Sequence, residues 1–210
     1  GITMYFSRKC KITFISHGAT IYSEEGRFSD AENYPPLNEA GQYEIEKITE
    51  FLRMRGIKND KIYTSPATRT IQSAQTIAKL YKKNYEIVEG LTPRKCGTFN
   101  GLTYEQIEQK YPKDFEQLIN NPDIPTPKDA EALADFVNRI KLIIDKIVEE
   151  NISNRVIIVT HPDVIKAAIC DALDIPASSL PKIYIKTGSA TQISYFESWK
   201  SLIYSDYTPV

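Results

Sequence analysis

The chain contains 2 histidines, and each stands where a strand is predicted to end. Residues 12–15 form an alternating run of β-branched and aromatic side chains that predicts a strand, and His17 follows it closely. Residues 155–160 form the most hydrophobic run of the chain, which predicts a central parallel strand, and His161 comes directly after it. Ligands of open α/β sheets bind at the carboxyl ends of the strands. If the two strands are neighbours, His17 and His161 are therefore expected at the same edge of one sheet.

A third side chain, Arg69, falls in the first turn of a helix predicted after the strand at residues 61–64. Taken singly, these residues have ordinary structural explanations, because a histidine after a strand is commonly just hydrogen-bonded and an exposed arginine is commonly just solvated. Together they have the composition of a phosphate site. A neutral imidazole is a good nucleophile toward phosphorus near neutral pH, and a second histidine and an arginine can hold the phosphoryl oxygens. This arrangement requires no metal.

The predicted elements alternate between strands and helices, which predicts an α/β fold with a mostly parallel sheet covered on both faces. Residues 21–36 are polar, contain Gly26 and end in two prolines, so we predict a loop there. Ser65 is expected to cap the helix that follows it, with Pro66 at the first helical position. The predicted strands are residues 12–15, 61–64, 85–88, 155–160, 182–187 and 192–196, and the predicted helices are residues 37–55, 65–81, 103–111, 113–119, 131–150 and 162–173.

Composition narrows the class of protein. A chain of 210 residues with 41% hydrophobic content can bury a full core, and we predict one domain over residues 4–210, with a small helical or loop insertion around residues 97–129. The 26 basic and 27 acidic side chains give no overall preference for nucleic acid or an anionic membrane. The apolar runs are too short to span a membrane, and the N-terminus lacks the apolar core of a signal peptide.

Cysteine usage bears on the compartment and on metals. The 3 cysteines are widely spaced, odd in number and without a metal-ligand pattern, which argues against a disulfide framework and against a zinc site. We therefore predict a cytoplasmic protein that needs no cofactor.

Six segments resemble, in order and spacing, the motifs of the histidine phosphatase superfamily, which has the phosphoglycerate mutase-like fold. SHGAT at residues 16–20 resembles the family's RHGET, YTSPATRTIQSAQTI at 63–77 resembles SSPLxRAxQTA, and VTHPDVIKAAICDAL at 159–173 resembles VSHGDVIRALLAHAL. The other three are LNEAGQYEIEKI at 37–48, GTFNGLTYEQIEQKYP at 97–112 and KDAEALADFVNRI at 128–140. The resemblance covers nearly the whole chain. It implies a three-layer α/β/α sandwich and a cofactor-independent phosphomonoester hydrolase that forms a phosphohistidine intermediate.

The resemblance also implies roles for individual residues. His17 would be the phosphorylated nucleophile, Arg69 a phosphate clamp and His161 the second histidine of the pocket. Arg27 matches a basic position of the family's first loop, and Arg94 matches an arginine that contacts substrate in the mutase branch. We predict a catalytic group of His17, His161 and Asp163. The predicted phosphate- and substrate-binding group is Ser16, Gly18, Ser23, Arg27, Arg69, Arg94 and Lys95.

Three positions depart from the family pattern. Ser16 replaces the arginine that precedes the nucleophile, Ser23 replaces an asparagine, and Pro93 replaces the proton-donating glutamate. Removing one anion clamp typically costs about 2.7–4 kcal/mol of transition-state stabilisation, and losing general acid catalysis costs on the order of 10²–10⁴ in rate. Enzymes accelerate phosphate monoester hydrolysis by up to ~10²¹-fold, so a slow enzyme would survive such losses.

Two compensations are open at these positions. Arg94 or Lys95 would fill the space of the missing arginine. Asp163 would donate a proton to the leaving oxygen if burial raised its pKa. The alternative is that Asp163 is only a carboxylate at a helix N-terminus, where the helix dipole stabilises its negative charge. Glu131 is a further candidate carboxylate, with capping of its own helix as the alternative.

Two classes of function follow from the residues and the resemblance. The first is an active phosphatase, weak or specialised, that acts on a small phosphorylated substrate or a phosphoprotein, and the intact His17, Arg69 and His161 favour it. The second is a pseudophosphatase that binds a phosphorylated ligand without turnover, which the three replaced positions favour. A phosphoglycerate mutase is disfavoured, because this chain has no counterpart of the arginine-bearing insertion of that branch. We expect no nucleic acid or membrane partner. A homodimer is left open. Four aromatic residues are candidates either to line the substrate pocket or to pack elsewhere: Tyr22, Phe28, Tyr34 and Phe99.

Overall fold

A central sheet organises the structure. The computed structural model describes residues 7–209, so the predicted domain limits at Met4 and Val210 lie outside the described residues. The strands are β1 (Arg8–Ser16), β2 (Lys61–Thr64), β3 (Glu86–Ile87), β4 (Asn154–Thr160), β5 (Ala190–Phe196) and β6 (Lys200–Tyr207). They form one sheet in the order β3-β2-β4-β1-β5-β6. The four strands β3, β2, β4 and β1 are mutually parallel, and β5 is antiparallel to both β1 and β6. The predicted mostly parallel sheet is therefore confirmed.

Helices cover both faces of the sheet. They are α1 (Ile21–Glu25), α2 (Glu39–Met54), α3 (Thr68–Tyr81), α4 (Tyr104–Lys110), α5 (Pro112–Asn120), α6 (Leu133–Glu150) and α7 (Pro162–Leu173). Each long helix presents an apolar stripe to the sheet. Ile45 of α2 and Ile77 of α3 belong to the core on one face, and Phe136 of α6 and Ile165 of α7 belong to the core on the other. This arrangement confirms the three-layer α/β/α sandwich.

The parallel strands end together at one edge of the sheet. The last residues of β1 and β4, Ser16 and Thr160, are paired in register, and Thr64 at the end of β2 is paired with Val159. The loop after α1 joins the segment before α4, since the backbone N–H of Phe28 donates to the carbonyl oxygen of Leu102 at 3.0 Å. The segments that follow the strand ends therefore converge on one place.

The prediction that residues 21–36 are entirely loop is wrong, because Ile21–Glu25 forms α1. Thr20 and Ser23 make a capping box, in which each backbone N–H donates to the other residue's hydroxyl oxygen at 2.9 and 3.1 Å. Gly26 ends the helix in the left-handed conformation. Two reciprocal caps and a glycine stop are enough to hold a single turn of helix.

The C-terminal strands also differ from expectation. Residues 182–187 are not a strand, since a 3₁₀ segment at Ala177–Lys182 leads into irregular backbone. There the backbone N–H of Lys186 donates to the side chain of Asp206 at 2.7 Å instead of to a neighbouring strand. The last strand is β6, which the sequence analysis missed because this edge strand is only partly buried along its length.

Candidate active site

His17 and His161 lie side by side at the edge where the parallel strands end. The backbone N–H of His17 donates to the carbonyl oxygen of Thr160 at 3.0 Å, which ties the first histidine to the end of β4. The two imidazole centroids are 5.4 Å apart with an interplanar angle of 68°. His17 is 6% exposed and His161 is 2% exposed. Two imidazoles are thus presented to one small space from which solvent is largely excluded.

The protonation of His17 suits a nucleophile. Its Nδ1 lies 2.7 Å from the carbonyl oxygen of Gly18, so Nδ1–H donates and Nε2 carries the lone pair. Burial, followed by the positive charge of Arg69, lowers the pKa of His17 to about 3, against the opposing effect of the Gly18 carbonyl. The imidazole is therefore neutral at neutral pH, with Nε2 available to attack an electrophile.

His161 is held by a pair of buried hydroxyls. Its Nε2 lies 2.8 Å from Oγ of Ser65, and that oxygen lies 2.6 Å from Oγ1 of Thr70. Nδ1 of His161 is buried without a hydrogen-bond partner. Burial, then the charges of Arg69 and His17, lower the pKa of His161 well below its ordinary value. His161 is thus fixed through Nε2, and its Nδ1 is left to bind a ligand.

Arg69 places a buried cation beside both histidines. It lies in the first turn of α3 and is 2% exposed. Its Nη1 donates to the carbonyl oxygen of Ala31 at 2.7 Å, which also ties α3 to the loop after α1. Burial lowers the pKa of Arg69, and Asp163 and Asp30 oppose that change, but an arginine keeps its charge in proteins. Among residues 7–209 no carboxylate lies within ion-pair distance of Arg69, so this charge is suited to an anionic ligand.

Asp163 stands beside the position of the missing glutamate. Its Oδ2 accepts a hydrogen bond of 2.8 Å from the backbone N–H of Arg94, the residue that follows Pro93. Its Oδ1 is buried without a partner. Burial raises the pKa of the Asp163 carboxyl, although the Arg94 N–H and the charges of Lys166 and Arg69 oppose that change. A buried carboxyl group with a raised pKa therefore lies next to Arg94 and two residues from His161.

Gly18 is required by packing. A Cβ atom on Gly18 would lie 2.3 Å from the carbonyl oxygen of Gly41, and a Cβ on Gly41 would lie 2.1 Å from that of Ala19. The backbone after β1 and the first turn of α2 thus touch directly, which only a pair of glycines permits. Gly18 was predicted to belong to the phosphate- and substrate-binding group, and in the structure α2 occupies the space beside its Cα.

The other predicted site residues are placed less centrally. Ser16 lies at the sheet edge with its hydroxyl buried and unpartnered, whereas the Ser23 hydroxyl is used in the cap of α1. Arg27 donates to the carbonyl oxygen of Gly101 and to Gln106, so it fastens the loop after α1 to α4. Arg94 is anchored through Nε to the carbonyl oxygen of Glu131, while Lys95 is exposed. The structure thus places Ser16 and Gly18 on either side of His17 and Arg94 beside Asp163, whereas Ser23 and Arg27 hold the loop around α1 and Lys95 is exposed.

Sequence reasoning missed the role of Ser65. The expectation that it caps α3 is wrong, because the helix begins at Thr68 with Ala67 as its cap and without a side-chain capping bond. Ser65 instead contacts His161 across the sheet edge. A usable signal was present, since Ser65 directly follows the strand β2 as His17 and His161 closely follow theirs.

A cavity of about 520 Å³ opens beside these residues. Asp163 and Arg94 form part of its wall, together with Lys166 of α7 and aromatic residues that include Phe28 and Phe99. The guanidinium Nη2 of Arg94 is buried there without a partner. A pocket of this volume suits a small molecule.

Other centres are not found in residues 7–209. Those residues contain no group of three or more histidine, cysteine or acidic side chains that could hold a metal ion. Cys10, Cys96 and Cys170 form no disulfide. None of the helices between Ser7 and Pro209 has the length and apolar character needed to cross a bilayer.

Known proteins share this sequence pattern and this fold. The family model "Histidine phosphatase superfamily (branch 1)" matches residues 12–204. The chain is 26% identical over 170 residues to "Phosphoserine phosphatase 1" of Hydrogenobacter thermophilus, which is 80% of this chain and 78% of that protein. It is 27% identical over 178 residues to a 6-phosphofructo-2-kinase/fructose-2,6-bisphosphatase of Caenorhabditis elegans, covering 85% of this chain but only 37% of that protein.

A solved structure shows the same architecture. Phosphoserine phosphatase from Entamoeba histolytica, in complex with 3-phosphoglyceric acid, superposes with a TM-score of 0.84 at 20% identity, covering 95% of this chain and 98% of that one. At that identity the match establishes the shared fold. The family match extends from β1 into β6 and includes both histidines and Arg69. The chain therefore belongs to branch 1 of the histidine phosphatase superfamily.

Proposed function

We propose that this protein is a phosphomonoester hydrolase of specialised specificity that transfers the phosphoryl group to His17. One observation carries the proposal. Of the seven buried side-chain polar atoms without a partner in residues 7–209, five lie at this site and two belong to Asn59. Buried polar groups are almost always hydrogen-bonded, so five such atoms around a buried arginine indicate a polar, anionic ligand. The five belong to Ser16, Ser29, Arg94, His161 and Asp163.

The first half-reaction uses His17 and Asp163. The lone pair of His17 Nε2 attacks phosphorus, the bond from phosphorus to the ester oxygen breaks, and the protonated Asp163 carboxyl gives its proton to the departing oxygen. The alcohol leaves and a phosphohistidine remains. Arg69 and His161 hold the phosphoryl oxygens as the charge on them redistributes.

The second half-reaction restores the enzyme. The Asp163 carboxylate takes a proton from water as the water oxygen bonds to phosphorus, and the bond from phosphorus to His17 breaks with its electron pair returning to Nε2. Inorganic phosphate leaves, and Asp163 is protonated again. Each step uses only side chains of this chain, substrate and water.

The test is hydrolysis of phenyl phosphate by the purified protein. Two signals are measured: the inorganic phosphate released, and the phosphohistidine that is preserved when the reaction is stopped at alkaline pH. His17→Ala is expected to abolish both signals. Asp163→Asn is expected to lower kcat on the order of 10²–10⁴-fold. Because burial raises the pKa of Asp163, the wild-type rate is present below that pKa and is lost as pH rises through it, and this decline disappears in Asp163→Asn. Asp135→Asn is the matched control, because Asp135 is an exposed acidic residue in the first turn of α6. This variant should change neither kcat nor the pH dependence of the rate.

A second function is favoured by a specific observation. Pro93 is buried where the family has a glutamate, and the Ser23 hydroxyl is committed to a helix cap. A pocket that had lost turnover would keep Arg69 and both histidines as a binding site for a phosphate monoester. Wild-type protein that binds phenyl phosphate but forms neither phosphohistidine nor inorganic phosphate would establish this binding function and contradict the hydrolase.

A further inference from the structure

The walls of the cavity beside the active site indicate what kind of alcohol the substrate carries. This inference rests on the proposed function, because the phosphoryl group is assigned to His17 and the rest of the ester is left to occupy the cavity. Asp163, the proposed proton donor, is itself part of the cavity wall. The leaving oxygen must therefore stand at the boundary between the phosphate site and this cavity, with the alcohol extending into it.

One wall of the cavity is aromatic. The rings of Phe28 and Phe99 are stacked, with centroids 5.9 Å apart and an interplanar angle of 17°. Tyr104 meets Phe28 edge to face at 5.0 Å. All three residues line the cavity, and the predicted aromatic partners Tyr22 and Tyr34 instead pack against each other at 5.4 Å. Ring systems prefer such offset and edge-to-face neighbours, so this wall suits another flat ring.

Two large apolar side chains of the cavity are left in contact with solvent. Tyr104 is 54% exposed and Ile119 of α5 is 57% exposed, although both line the cavity. A ligand in the cavity would cover apolar surface on both. Removing apolar surface from water is favourable, so an apolar ligand gains affinity here and a hydrated one does not.

The charged groups of the cavity leave a substrate ammonium group without a partner. Asp163 is the single carboxylate among the lining residues, and the proposed mechanism uses it for the leaving oxygen. The other charged side chains, Arg94, Lys166 and Lys182, are cations that would repel a substrate ammonium group. A sugar would need many hydrogen-bond partners, and the part of the wall formed by Phe28, Phe99 and Ile119 supplies few of them.

We propose that the substrate is the phosphate monoester of an apolar, ring-containing alcohol whose ring system lies between the aromatic wall and Ile119. The volume of about 520 Å³ is sufficient for more than one ring. This makes the protein a small-molecule phosphatase and assigns specificity to Phe28, Phe99, Tyr104 and Ile119.

The test compares esters whose chemistry is matched and whose size differs. Phenyl phosphate and 2-naphthyl phosphate release alcohols of similar acidity, and benzyl phosphate and phosphoserine are both esters of primary alcohols. We expect kcat/KM to be at least about tenfold higher for the naphthyl than for the phenyl ester, and for benzyl phosphate than for phosphoserine, the scale of discrimination that apolar pockets reach. Equal values, or a preference for phosphoserine, would overturn the inference.

Two matched variants test whether Ile119 contributes to the preference for the larger ring system. Ile119→Asn should reduce the ratio of naphthyl to phenyl kcat/KM toward one. Ile124→Asn is the control, because Ile124 belongs to the same segment, is 45% exposed and does not line the cavity. A ratio that falls equally in both variants, or in neither, would contradict the assignment of Ile119.

Calorimetric binding to the His17→Ala protein separates this inference from the proposed function. If wild-type protein hydrolyses none of the esters, the proposed function fails, and tighter binding of 2-naphthyl than of phenyl phosphate would still support the apolar ligand class. Hydrolysis without any preference for the larger ring system would leave the proposed function intact and refute the ligand class.

Discussion

Ser65→Ala is expected to impair turnover although Ser65 is assigned no contact with the substrate. The Ser65 hydroxyl lies between two buried partners, 2.8 Å from His161 Nε2 and 2.6 Å from Thr70 Oγ1, and Ser65 itself is 0% exposed. The Thr70 hydroxyl is also 2.9 Å from two carbonyl oxygens, those of Ser65 and Ala67. When Thr70 instead donates to the Ser65 hydroxyl oxygen, the Ser65 proton goes to His161 Nε2. His161 then carries its own proton on Nδ1, the nitrogen that is buried without a partner.

The size of the effect follows from these contacts. Leaving His161 Nε2 buried without a partner costs about 1–3 kcal/mol of folding stability. Losing an entire oxyanion donor costs about 10²–10³ in kcat. The Ser65 variant retains the imidazole of His161, but no hydroxyl fixes which ring nitrogen carries the proton. We therefore expect kcat to fall about tenfold to a hundredfold, which is less than the loss of an entire oxyanion donor would cause. KM should change by less than about twofold, because the interaction is needed in the transition state.

The assay is steady-state hydrolysis of phenyl phosphate together with urea unfolding. Thr49→Val is the matched control, because Thr49 is a 0% exposed threonine of α2 whose hydroxyl donates to the Ile45 carbonyl oxygen at 2.6 Å, far along the chain from His161. The control should lose stability and keep its kcat. If Ser65→Ala also keeps its kcat while losing stability, the hydroxyl only supports packing, and the assignment of Ser65 as a positioning residue is refuted.

Two further predictions concern stability. Burial lowers the pKa of His17 to about 3 and that of His161 well below 6.5. Below the ordinary histidine pKa the unfolded chain therefore binds more protons than the folded protein. The free energy of unfolding thus falls as pH drops from the ordinary histidine pKa toward the pKa of the folded protein. Each histidine contributes at most about 1.4 kcal/mol per pH unit, and urea unfolding at pH 7 and pH 5 should show a smaller loss in His161→Gln than in wild type. Gly41→Ala would stabilise an ordinary helix interior by about 1 kcal/mol, but a Cβ there would lie 2.1 Å from the Ala19 carbonyl oxygen, so the unfolding free energy should decrease instead. A stabilised Gly41→Ala protein would show that the backbone contact is not tight.

Much of the fold follows from local sequence signals. β2 has the predicted bounds of 61–64, and the helices α6 and α7 end at the predicted residues 150 and 173. These elements have strong hydrophobic patterns and clear stop signals, so local propensity and tertiary packing agree. The errors fall where that agreement is weak. α1 is a single turn held by Thr20 and Ser23, and β6 is an edge strand whose partly exposed residues dilute the apolar pattern.

The sequence by itself determines the family and the location of His17, Arg69 and His161 at or just beyond strand ends, because these depend on local patterns and ordered motifs. Only the tertiary structure decides what those residues face. Ser65 meets His161 across 96 residues of chain, and Asp163 meets the backbone beside Pro93 across 69. Such contacts depend on strand order and on the path of loops, and burial then changes the pKa of each group. No local pattern records either effect, since both arise from distant segments that exclude water from the same small volume.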